Sequence, residues 1–113
     1  MNFQHKELAA GRWNKLTFLE QMANIGSEVE RAIKWRQKNN NEYCRLAVER
    51  ALELLSLTLA DKKNELRLKE LCRVQESLVD FFIYNNVYQS SAELWHKYFF
   101  AFNYAAKNPL AVV

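Results

Sequence analysis

The sequence has 113 residues, half of them hydrophobic and 13% aromatic, with only two glycines and one proline. That is enough chain for one domain with its own core, and too apolar for disorder. The scarcity of breakers disfavours a turn-rich β sandwich and suits long helices. The formal charge of +3 is too small to imply a polyanionic partner by itself. Its excess nonetheless sits in the first third, where seven Lys/Arg stand against four Glu up to residue 41.

Residues 1–13 read as a short N-terminal arm. Glu7 to Ala10 have the makings of one helical turn stopped by Gly11, and Trp13 is large enough to close an open end of the core. Thr17 and Glu20 have capping-box spacing and open a first helix over about 17–38. Along it Phe18, Met22, Ile25, Val29 and Ile33 recur at three- and four-residue intervals.

Asn39, Asn40 and Asn41 form a turn and supply the cap of a second helix over 41–60. This helix is apolar around most of its girth, with only Glu42, Arg45, Glu49, Glu53 and Ser56 on a narrow polar strip. Such a helix is expected at the centre of a bundle. Asp61 caps a third helix over 64–84, whose buried face is Leu68, Leu71, Val74, Leu78, Phe81 and Phe82. Ser90 and Glu93 repeat the capping-box spacing before a fourth helix over 91–107, which Asn108-Pro109 stops. Short polar connections make successive helices antiparallel neighbours. The expected fold is a single all-α domain, an up-down-up-down four-helix bundle with a short arm.

The fourth helix has aromatics on more than one face. Leu94, Tyr98, Phe102 and Ala105 make one stripe, expected in the core, while Phe100 and Tyr104 make a second. A monomeric bundle buries one stripe, so Phe100 and Tyr104 are the candidate surface for self-association. On the first helix, Arg31, Lys34 and Lys38 lie opposite the apolar face with Trp35 beside them. Basic groups beside an aromatic suit phosphate contact with base stacking, so these four are the candidate contacts to RNA or DNA. Glu20 and Glu28 lie near the same face, as on an ordinary solvated helix. Arg50 interrupts the apolar second helix, either paired with Glu53 or another helix's carboxylate, or holding an anionic ligand.

Catalytic patterns do not assemble. Glu93 and His96 have the Glu-x-x-His spacing of di-metal bundles, but the only other histidine, His5, has Asn2 where the second carboxylate should be. No arginine stands at residues 89–91, where the Arg-to-His signature of small helical RNases needs one before His96. No phosphate loop or nucleophile elbow occurs. The expectation is a protein that is not an enzyme, with no metal, no cofactor and no small-molecule ligand singled out. Cys44 and Cys72 lack paired spacing and read as buried free thiols of a reducing compartment. With no signal-like N-terminus and no apolar run of membrane-spanning length, the expected location is cytoplasmic, with no membrane contact.

Two segments carry a family resemblance. Ala23-Asn24-Ile25-Gly26-Ser27-Glu28 to Arg31, and Glu42-Tyr43 with Ala47 to Leu59, resemble the four-helix-bundle proteins encoded in intervening sequences of large-subunit ribosomal RNA. The accessory proteins of diversity-generating retroelements are similar. The match covers about forty residues, with Met22 in place of the family's proline and Gly26-Ser27 in place of its Glu-Gly step. The resemblance implies an oligomeric bundle, pentameric in relatives, with basic surfaces that engage nucleic acid.

Overall fold

The computed structural model describes residues 11–108. They form four α-helices: α1 (Phe18–Gln37), α2 (Asn41–Ala60), α3 (Leu68–Phe82) and α4 (Ala92–Lys107). Short 3-10 segments, Arg12–Lys15 and Lys62–Arg67, lead into α1 and α3. The described residues are 83% helical and contain no strand, as the periodicity implies. The helical turn expected at 7–10 lies outside them.

Local chemistry sets the helix ends. Thr17 and Glu20 form the full capping box, each side chain bonded to the other's backbone N–H at 3.1 and 2.9 Å. After α1, Asn39 adopts a left-handed φ of 60°, and the Asn39 and Asn40 amides turn back to the Arg36 and Trp35 carbonyls. Asn40 then caps α2 by accepting from the Tyr43 amide. The fourth helix departs from the expected box: Ser91, not Ser90, accepts from the Leu94 amide. Ser90 is held by Asn86, whose side chain bonds both the amide and the carbonyl of Ser90. The α3–α4 connection thus satisfies its own polar groups first and shifts the cap by one residue.

α1, rather than α2, is the helix with the widest contacts, packing extensively on both α2 and α4. Its buried arc runs from Gln21 and Met22 through Ile25, Gly26 and Val29 to Ala32 and Ile33. α2 buries Ala47, Val48, Ala51, Leu54, Leu55 and Thr58 but leaves Tyr43 exposed and Leu46, Leu52, Leu57 and Leu59 half-buried. Four helices supply too few neighbours to cover every apolar side of α2. Along α1 and α4 the paired positions run in opposite order: Phe18 meets Phe102, Gly26 meets Phe99, and Glu30 meets His96.

Two further expectations are corrected. The third helix begins at Leu68, and its first turn is 3-10 because Asn64 is pulled inward by Gln21, leaving Leu66 and Leu68 exposed. In α4 the core stripe is Trp95 and Phe99, flanked by half-buried Tyr98 and Phe102, while Leu94 stays 55% exposed. Gly26 explains this rotation. A Cβ there would lie 2.7 Å from Phe99 Cβ, so only glycine admits Phe99 at this depth.

A buried polar cluster ties the entry of α1 to the exit of α2. The Trp13 indole N–H donates to Thr58 Oγ1 at 2.9 Å, and Thr58 donates to the Leu54 carbonyl at 2.8 Å. Gln21 donates to the Trp13 carbonyl and to Asp61, and its own oxygen accepts from Asn64 at 2.9 Å. Asn64 also donates to the Thr58 carbonyl, and the Lys63 ammonium pairs with Asp61. Trp13 thereby closes the core end as its size suggests, at 2% exposure. Burial alone would raise the Asp61 pKa. Hydrogen bonds from Lys63 and Gln21, with the attraction of the Lys63 charge, outweigh that and lower it.

Two stability measurements follow. At an open helix site Gly26→Ala would stabilise by about 1 kcal/mol. Here the clash with Phe99 should reverse the sign and cost roughly 1–2 kcal/mol in a urea titration. Because the folded pKa of Asp61 is depressed, its contribution is present above the ordinary carboxylate pKa and is lost as pH falls through the folded value. The urea midpoint should therefore drop in acid, and Asp61→Asn should flatten that drop while lowering stability at neutral pH.

Candidate functional site

The basic stripe of α1 is present but occupied. Arg31 Nη1 lies 3.2 Å from Glu28 Oε1, and the other oxygen of Glu28 accepts from Arg50 Nε at 3.1 Å. One carboxylate, itself largely buried, therefore serves two arginines from two helices. Arg50 takes the ion-paired alternative of its two readings, its head held by another helix's carboxylate. Trp35 is half-buried, with the Tyr43 ring edge-on at 4.8 Å and the Lys38 ammonium 5.3 Å from its centroid. An indole with a protein ring on one side and a cation over it has little face left for a base. Lys34 is exposed. The four candidate residues share one helix flank, but only Lys34 keeps its head clear of the contacts that engage the others.

The second stripe of α4 is where the sequence puts it. Phe100 and Tyr104 are 56% and 51% exposed and stack on each other with centroids 6.4 Å apart. Phe100 also borders a hollow of about 250 Å³ between α1 and α4, floored by Gly26 and Phe99 and rimmed by Glu30 and His96. His96 Nδ1 lies 2.9 Å from Glu30 Oε1, while Glu93 lies 3.5 Å from the Lys97 ammonium. The Glu-x-x-His pair thus turns to different partners. No group of three metal-ligating side chains occurs among the described residues. Cys44 is half-buried and Cys72 exposed, so the expectation of two buried thiols fails for Cys72, which sits on the solvent side of α3. Burial is also the main cause of a raised Cys44 pKa, partly offset by Arg36.

Sequence reasoning missed the α3–α4 connection. Asp80 is buried and accepts from the Val87 and Tyr88 amides at 2.8 and 3.0 Å, which fixes a loop carrying exposed Tyr84, Val87 and Tyr88. The signal in the sequence is Asp80 itself, an acid that directly precedes Phe81 and Phe82 of the expected buried face. Nearby, Tyr98 donates to Glu70 at 3.0 Å. Burial first, and then the Glu70 charge and hydrogen bond, raise the phenol pKa, so it stays a donor at any ordinary pH.

No known family model, characterised protein or solved structure matches this chain. No helix among the described residues is long and apolar enough to cross a membrane.

The engagement of Arg31 and Trp35 generates a direct expectation. By fluorescence anisotropy at moderate salt, wild type and an Arg31→Glu, Lys34→Glu, Lys38→Glu variant should bind single-stranded RNA equally weakly. A salt-sensitive affinity lost in the variant would instead establish the stripe as a nucleic-acid contact.

Proposed function

We propose that this chain is a non-catalytic, self-associating helical-bundle protein that serves as a scaffold or adaptor through the outer face of α4. One observation carries the reading: Phe100 and Tyr104, stacked and half-exposed, form an apolar patch that the chain's own core does not use. Covering their exposed halves contributes on the order of 2–3 kcal/mol, less than association costs. The interface therefore extends along the helix, which at 16 residues is about 24 Å long. A second copy of the chain is the partner this reading names.

An antiparallel, up-down-up-down winding belongs to the same reading. It is supported by the opposed order of the α1 and α4 contacts and by the short turn between α1 and α2. The free cysteines support a reducing, cytoplasmic setting. A nucleic-acid-associated bundle is the second reading. It is favoured by the exposed, clustered charges of Arg31, Lys34 and Lys38 and by the family resemblance, and is weakened by the partners of Arg31 and Trp35.

Light scattering at micromolar concentration should give wild type a mass above one chain. Phe100→Glu should reduce it to one chain while circular dichroism stays helical. A wild-type mass of a single chain would count against the proposal.

A further inference from the structure

We propose that a second copy of the chain docks antiparallel along α4, with Phe100 at the twofold axis and Glu93 against the partner's Lys107. The partner's Tyr104 then covers the hollow between α1 and α4. Resting on the self-association proposed above, this arrangement adds a direction and a register that exposed aromatics alone leave open. Spacing comes first. Glu93, Phe100 and Lys107 are all exposed and recur every seven residues along α4. At about 100° per residue they stay within about 20° of one line. A repeat of seven is the one that keeps one helix facing another along its length. His96 and Tyr104, also exposed, stand four residues to either side of Phe100 and flank that line.

Charge sets the direction. The line begins at an acid, Glu93 in the first turn, and ends at a base, Lys107 in the last. Two copies laid parallel would bring like charges together at both ends, which selects against that pairing. Laid antiparallel, each Glu93 meets the partner's Lys107, and the twofold axis makes the contact twice. Glu93 already lies 3.5 Å from Lys97, but both side chains are more than 70% exposed, so this surface pair leaves room for a second lysine. Shape agrees with charge. Centring the pair on Phe100 brings the partner's Tyr104, four residues beyond the axis, opposite His96, four residues before it. His96 and Phe100 border the hollow of about 250 Å³ whose floor is Gly26 and Phe99. Each copy's Tyr104 thus gains an apolar seat on the other, and the interface widens from α4 onto the edge of α1. That supplies contact area which the two exposed aromatics lack by themselves.

The test is charge exchange on the full chain, read by sedimentation equilibrium at low salt. Glu93→Lys and Lys107→Glu should each weaken association about tenfold, because each turns two opposite-charge contacts into two like-charge ones. The double variant Glu93→Lys, Lys107→Glu should associate as wild type does, although both of its charges now oppose the helix dipole. Were the two residues important only for the stability of α4, the double variant would be the worst of the three. A short bis-maleimide gives the geometry directly. A mixture of Glu93→Cys and Lys107→Cys chains should cross-link above the wild-type background set by Cys44 and Cys72. Neither variant should do so alone, since the two copies of residue 93 lie about 21 Å apart in this register. A wild-type mass of one chain overturns this arrangement together with self-association itself. Association that Phe100→Glu abolishes but the charge exchanges leave unchanged overturns the antiparallel register alone, and so do cross-links in either cysteine variant by itself.

Discussion

The seating of Phe99 against the bare Cα of Gly26 decides what the rest of α4 can do. A helix presents one side to its neighbour, and the contact that penetrates deepest fixes its rotation. With Phe99 seated over Gly26, Trp95 enters the core beside it, and Phe102 reaches Phe18 at 5.8 Å. The remaining positions follow from the period of about 3.6 residues. Phe100 and Tyr104 are carried to the far side, and Leu94 to the flank facing α3. The missing methyl group on α1 therefore sets both the exposed aromatic pair and the exposed flank of Leu94.

The opposite kind of interaction holds the entry of the fold. Gln21 sits fully buried, yet its amide is used by Trp13, Asp61 and Asn64, which come from two separate stretches of chain. A network of this sort adds little net stability per bond, but leaving any member unpaired is expensive. It therefore specifies one arrangement of the α1 entry, the α2 exit and the turn before α3. At the other end, the Arg36 guanidinium donates to the Phe81 carbonyl and lies over the Phe81 ring at 4.9 Å, so α3 is fastened to α1 at its last turn. With both ends tied, α3 stays with α1 and α2 and leaves α4 uncovered on one flank.

Helix existence was legible because it rests on local chemistry. Thr17 with Glu20 and Asn40 cap where their spacing says they should, and the three-and-four periodicity of α1 marks its buried face, whereas Asp61 caps the 3-10 segment before α3 and α3 itself has no side-chain cap. Helix rotation was less legible, since α4 offers aromatics at almost every angle and the choice among them is made by Gly26, nearly seventy residues earlier. The same limit applies to charge. Arg31 and Glu28 are close in sequence, but the claim of Arg50 on that carboxylate exists only once α1 and α2 are packed. The shift of the α4 cap from Ser90 to Ser91 likewise depends on Asn86 engaging Ser90 first.

On the described surface His96 pairs with Glu30, Glu93 with Lys97 and Arg45 with Glu49. Large apolar side chains, by contrast, stand in solvent on held backbone. Hydroxyl-radical footprinting across a concentration series measures most directly whether the outer face of α4 meets a second copy. Phe100 and Tyr104 should lose reactivity as concentration rises through the micromolar range, while Tyr84, 70% exposed on the α3–α4 connection, should keep its own. Reactivity of Phe100 and Tyr104 that stays constant at every concentration would contradict association through this face.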